Sequence, residues 1–239
     1  MTVQISQVQF GWHQSKLDIK DWRLGDYMPR AYDISGQREW NFPVAPLDQK
    51  QTNHCCGFGL ADWGINEPVV DAYTEDDAHK FYYMMKVEDG EPGDENGSTC
   101  RTVAKVGQKL GRMTNYAFAS SVEEMVYWIL NHGPVIIGIP WTYDMMSPDA
   151  NNVIHPTGSV AGGHCCVINA KYTSSMLRLR NSWGMWGING EALISMEDFA
   201  KLFRDGGEVI AAIEEPIISN PPVQSEGCWA AIAKLFGPK

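Results

Sequence analysis

The feature that most constrains this chain is a change of texture at Gly133-Pro134. Before it, apolar residues recur with helical spacing; after it, they fall in the short runs and alternations of strands. A buried helix is predicted from Cys55 to about Asn66, although Gly57 and Gly59 cost helix propensity that packing must offset. A second runs from Asp76 to about Val87, with Phe81, Tyr82, Met84 and Met85 as its apolar face. Ser98 or Thr99 caps a third that reaches about Leu110 and ends at Gly111. Ser120 or Ser121 opens a fourth, in a capping box with Glu124, through Met125, Trp128, Ile129 and Leu130. Strands are then predicted at Val135–Ile139, His164–Ala170, Met176–Arg180, Ala192–Ser195 and Val209–Ile213. Helices first and strands second imply an α+β protein with two lobes.

The 239 residues suffice for one sizeable core or two small lobes sharing a cleft. A net charge of −10, with no Lys/Arg cluster to offset it, argues against a nucleic-acid partner. Nine Trp and nine Tyr suggest an aromatic-lined cleft or heavy packing between lobes. No apolar run approaches the roughly 18 residues of a membrane span, and Met1-Thr2-Val3-Gln4 does not open like a signal peptide. Four of the six cysteines form two adjacent pairs, a poor disulfide framework. The expectation is an intracellular, cytoplasmic setting, or a particle assembled there, with reduced thiols. Cys100, Cys165 and Cys166 are expected as small packing residues.

Residues 1–47 are extended and irregular, with Phe10-Gly11-Trp12 and Asp21-Trp22 as anchors and Pro43 and Pro46 forbidding a helix. They are expected to form an arm wrapping the core. Glu88 to Gly97 is an acidic, turn-rich loop. Residues 216–239 form an extension broken at Pro221-Pro222. Trp229 and Phe236 there are either docked on their own domain or offered to a protein partner.

Chemistry concentrates in three places. Gln49 precedes Cys55 by six residues, and Cys55 stands where an extended segment meets a helix, whose positive end favours thiolate. Gly162-Gly163-His164 opens a strand, and glycine there admits a substrate backbone. Asn181-Ser182-Trp183-Gly184 follows the third strand. In this order the residues resemble the papain-like cysteine peptidases, over about residues 8–213. Trp186-Gly187, Asn189-Gly190, the opening Gly11-Trp12 with Asp18 and Asp21, and Pro43 to Gln49 add to the likeness, which is to bacterial and viral members without an inhibitory pro-region.

The resemblance implies a papain-like domain over residues 1–215. A helical lobe spans about 48–120 and a β-rich, barrel-like lobe about 121–215, with the site between them. It implies Cys55 as nucleophile, His164 as base and acid, and Asn181 as the group that orients the imidazole. Gln49 and the Cys55 amide would hold the oxyanion. Trp183 would shield the His164–Asn181 bond, and Gly163 would support the base strand. Peptide or isopeptide hydrolysis follows, with no cofactor and no metal. Two rivals share these residues: a structural or binding subunit keeping the shell, and an amidase or acyl transferase using the triad.

His54 stands where the family has a small residue, and would crowd the oxyanion hole or add a third donor. His54-Cys55-Cys56 and His164-Cys165-Cys166 repeat one triplet, but adjacent residues diverge too far to share a metal. His13, His79, His132 and His155 show no partner in the sequence and are expected at the surface or in loops.

Overall fold

The structure, a computed structural model, describes residues 8–213. The extension carrying Trp229 and Phe236 therefore lies outside the described residues. Helix α1 (Cys55–Ile65) is buried on every side, as a helix apolar all round must be. Gly57 is needed for that: a Cβ there would lie 2.3 Å from the Ala78 carbonyl oxygen of the next helix. That helix, α2 (Glu75–Glu88), starts in a reciprocal capping box between Thr74 and Asp77. Thr99 caps α3 (Cys100–Lys109) and Ser121 caps α4 (Val122–Asn131), each accepting from a backbone amide three residues on.

The strands are β1 (Trp12–His13), β2 (Arg38–Glu39), β3 (Ser98–Thr99), β4 (Asn115–Phe118), β5 (Val135–Thr142), β6 (Val160–Lys171), β7 (Met176–Arg180), β8 (Glu191–Ser195) and β9 (Glu208–Ile213). A seven-stranded antiparallel sheet takes the order β4-β9-β5-β6-β7-β8, with β2 also paired to β6. β1 and β3 pair in parallel, apart from it. β3 and β4 and a fifth helix, α5 (Met196–Arg204), have no counterpart in the sequence expectation.

Two apolar cores flank the central strands. Ile136, Cys165 and Val167 face the core shared with α1, α2 and α3. Val135, Ile137, Cys166 and Ile168 face the core shared with α4, α5, β7 and β8. The period-2 alternation of β5 and β6 thus serves both cores, and the strands' near-continuous apolar runs follow from burial on two faces. The buried pair Asp62 and Arg180, 3.7 Å apart, links α1 to β7. Burial pushes the Asp62 carboxyl up to about 7, with Arg180 pulling the other way. Among the described residues no helix is long and apolar enough to cross a membrane.

Candidate active site

Cys55 opens α1, after His54 as a cap residue whose side chain makes no capping bond. The first helical amides have no intrahelical acceptor, so they and the helix dipole face the thiol. His164 comes in from β6, on the strand that passes over α1. Its Nε2 lies 2.8 Å from Asn181 Oδ1, in a buried bond. Its Nδ1 has no hydrogen-bond partner among the described residues, and the ring lies close enough to Cys55 to favour the thiolate. Asn181 sits just past β7, anchored by its own amide donating to the Gly190 carbonyl at 2.9 Å.

Gln49 is wholly buried. Its amide donates to the Gln49-facing Ser182 carbonyl at 2.8 Å, and its Oε1 accepts from Ser182 Oγ at 2.8 Å. Ser182 in turn donates its amide to Asn181 Oδ1 at 2.8 Å. A continuous chain of bonds therefore runs Gln49–Ser182–Asn181–His164. Trp183 lies over the imidazole, with ring centroids 4.7 Å apart, and Trp141 meets it edge-on at 5.0 Å. Both indoles pack against the His164 ring, whose bond to Asn181 is buried. Ser182 and Trp141 have no role in the sequence expectation. Ser182 lay inside the Asn-Ser-Trp motif, whereas nothing local pointed to Trp141 on β5.

The same arrangement of elements is found in solved structures. Xylellain, a cysteine protease from Xylella fastidiosa, is 17% identical with a TM-score of 0.69, over 87% of this chain and 97% of that one. proCathepsin B S9 from Trypanosoma congolense is 11% identical, with a TM-score of 0.57 over 90% of each chain. The fold is papain-like. Digestive procathepsin L 3 of the Tenebrio molitor larval midgut follows at 15% identity and a TM-score of 0.50, over 88% of this chain and 78% of that one. No protein-family model and no curated protein sequence matches the chain.

In this papain-like chain the cleft is covered by its own N-terminal arm. Gln49 Nε2 donates to the Gln9 carbonyl at 3.1 Å and to the Thr52 carbonyl at 2.7 Å. Phe10 packs edge-on against His164 and Trp183, at 6.0 and 6.2 Å. The Gly11 carbonyl accepts from the Ser98 amide at 2.8 Å, and Trp12 is buried beyond it. Cys55, His164 and Gln49 are each 0% exposed. Burial pushes the Cys55 thiol well above the ordinary thiol range, and Cys56 beside it adds to the shift, while His164 pulls it down. This runs against the expectation from the helix terminus alone: burial outweighs the pull of the His164 imidazole.

His54 adds no side-chain donor to the oxyanion position. Its Nδ1 meets His79 Nδ1 at 2.7 Å, its Nε2 meets Glu95 Oε2 at 2.6 Å, and its ring stacks on Tyr82 at 3.8 Å. Both ring nitrogens are thus spent, Nε2 on the acidic loop and Nδ1 on α2. Lys86 fastens that loop from below, with Nζ 2.8 Å from Glu91 Oε2 and 2.9 Å from the Gly97 carbonyl. The other histidines also have partners; His13, His132 and His155 are exposed, as expected, whereas His79 is half-buried on α2. His79 meets His54, His132 stacks on Trp128 at 4.0 Å, His155 meets Asp149 at 3.2 Å, and His13 meets the Asn96 carbonyl. Those partners are distant in sequence or carry no local pattern, so the chain alone does not reveal them. Cys100, Cys165 and Cys166 are buried in the two cores.

Proposed function

We propose that the chain is a cysteine peptidase that hydrolyses peptide or isopeptide bonds through Cys55, His164 and Asn181. The observation that carries this reading is the unbroken chain of buried bonds from Gln49 to His164, ending on an imidazole beside the Cys55 thiol. A binding module has no use for a buried, oriented imidazole with one nitrogen left unpaired. In the reaction His164 Nδ1 takes the thiol proton, and Cys55 Sγ forms a bond to the substrate carbonyl carbon. The carbonyl oxygen becomes an oxyanion, met by Gln49 Nε2 and the Cys55 amide. Nδ1–H then passes its proton to the leaving amine as the C–N bond breaks, leaving a thioester. Water, losing a proton to the same nitrogen, attacks the thioester and releases the acid and the free thiol. Asn181 holds the ring in place through Nε2 throughout.

The test is labelling of the Trp12→Ala chain, in which the arm's cover is loosened, with a thiol-directed epoxide, read by peptide mass mapping. The reading expects modification at Cys55 and its loss in His164→Ala. Equal modification of several cysteines, indifferent to His164, would favour a binding shell instead.

A further inference from the structure

The two most exposed large apolar residues of the described chain stand on one turn of the arm. Leu17 and Ile19 are each 97% exposed, whereas the next, Ile188, is 63% exposed. Single exposed aliphatics are ordinary, but two on one turn beside a half-exposed Trp22 make a patch. The turn is fastened at several points. The Lys20 amide donates to Asp18 Oδ1 at 2.9 Å, and the Asp21 amide donates to the Asp18 carbonyl at 3.1 Å. Arg101 of α3 holds it from the other side, with Nε 2.9 Å from Asp21 Oδ1 and Nη2 2.6 Å from the Lys16 carbonyl. The Trp22 carbonyl accepts from the Phe118 amide of β4 at 2.9 Å. Well-made bonds thus hold apolar side chains out in water. Beside the turn lies a groove of about 560 Å³, whose apolar lining is Leu17, Ile19, Trp22, Phe118 and Ala119.

The place where the described chain ends says what can reach this groove. Glu208 opens β9 and also lines the groove. β9 ends at Ile213, opposite Asn115, which is three residues along β4 from Phe118. That separation is about 10 Å. Trp229 follows Ile213 by 16 residues. A chain of that length spans about 20–25 Å on average and about 50 Å at full stretch, so the reach is ample. From Gly227 to Lys239 the sequence carries Trp229, Ile232, Leu235 and Phe236, and its only charges are Lys234 and Lys239. No anion of that segment has to be buried against Asp18, Asp21 and Glu208 of the groove. Residues 1–7, the other stretch outside the described residues, hold no aromatic side chain.

We propose that this groove is the docking site of the chain's own C-terminal extension, with Trp229 and Phe236 seated against Leu17, Ile19 and Trp22, so that the last residues clasp the root of the arm. A tether of this length gives an effective concentration in the millimolar range, so at micromolar protein the segment meets its own groove before that of another copy. Neither Cys55 nor His164 takes part, and the proposal stands apart from the peptidase reading.

Cys228, next to Trp229, serves as the probe, because Cys55, Cys56, Cys100, Cys165 and Cys166 are all buried. In the full chain Leu17→Cys is joined to Cys228 by a short bis-maleimide, and the linked peptides are read by mass mapping. Ser174→Cys, on the exposed turn between β6 and β7 in the far part of the sheet, is the reference site. Leu17, Ile19 and Ser174 are exposed, so these variants keep the fold. The proposal expects the link from Leu17→Cys to form about 10-fold faster or more than that from Ser174→Cys, at a rate unchanged by dilution. Ile19→Asp, or Trp229→Ala with Phe236→Ala, should each bring the Leu17→Cys rate down to the reference rate. Equal rates at the two sites, or a Leu17→Cys rate indifferent to those substitutions, overturn the proposal. Links between chains that slow on dilution put a second copy in the groove and overturn it as well.

Discussion

His54-Cys55-Cys56 and His164-Cys165-Cys166 are one triplet in two settings, and they share almost nothing in use. The first straddles the start of α1. There the helical turn aims Cys55 at the cleft, sends His54 outward to Glu95 and His79, and turns the Cys56 thiol to the Ser98 carbonyl at 3.4 Å. The second lies within β6, where alternation decides. His164 faces the cleft, Cys165 enters the core under α1, and Cys166 enters the opposite core. Residue type supplies a thiol and an imidazole in both triplets. The element that carries them decides which thiol and which imidazole can meet.

That contrast is broken most severely by exchanging the two histidines' fates. His164→Ala is expected to lower kcat/KM by about 10²–10⁴-fold, the usual worth of a positioned acid–base group. His54→Gln should keep kcat/KM within about 3-fold near neutral pH, because its ring bonds to the loop and not to the cleft. Steady-state assay of both on one peptide decides it. A loss in His54→Gln matching that in His164→Ala would show that the loop contact is part of the catalytic geometry.

A smaller effect sharpens the second triplet's role. Ser182→Ala removes the hydroxyl that holds Gln49 Oε1 at 2.8 Å but leaves the His164–Asn181 bond standing. A lost hydrogen bond of about 1 kcal/mol predicts a fall of roughly 5-fold, in kcat and not in KM, with partial rescue by Ser182→Thr. An equal change in KM would assign Ser182 to substrate binding.

How far the sequence foretells this arrangement depends on the range of the signal. The starts of α3 and α4 were legible because Thr99 and Ser121 act within three residues, and α2 from its apolar face of Phe81, Tyr82, Met84 and Met85. β5 and β6 were legible from their apolar runs, β7 from its alternation of apolar and basic residues, and the Gln, Cys, His and Asn positions from their order. β4 was not, because only Ala117 of its four residues is buried and the pairing with β9 defines it. α5 followed a strand directly, and its cap Ser195 doubles as that strand's last residue, so neither end was marked. The arm's destination had no local signal at all. Trp12 and Gly138 are far apart in sequence, and a glycine inside a strand does not say what fills its place. His54 likewise finds Glu95 across 41 residues.

The smallest expected effect concerns that histidine and pH. Burial lowers the His54 pKa from its ordinary value, with His79 adding to the shift and Glu95 opposing it. The folded chain therefore holds His54 neutral where the unfolded chain takes up a proton. Its contribution to stability is present above about pH 6.5 and is lost as pH falls through the lowered folded value. The urea midpoint of the wild type should drop between about pH 7.5 and about pH 5.5 by more than that of His54→Gln. Parallel drops in the two chains would show that His54 is not the group responsible.

The central claim is that Cys55 is paired with His164 in a finished site, and that the arm's cover is what holds the thiol neutral. The rate of Cys55 alkylation against pH, in the wild type and in Trp12→Ala, tests it most directly. The wild type should react slowly and gain rate only above the ordinary thiol value of about 8.5. Trp12→Ala should react faster, with its profile moved below that value, and adding His164→Ala should abolish the move. A Trp12→Ala profile that titrates like a free thiol, unchanged by the loss of His164, would contradict the account.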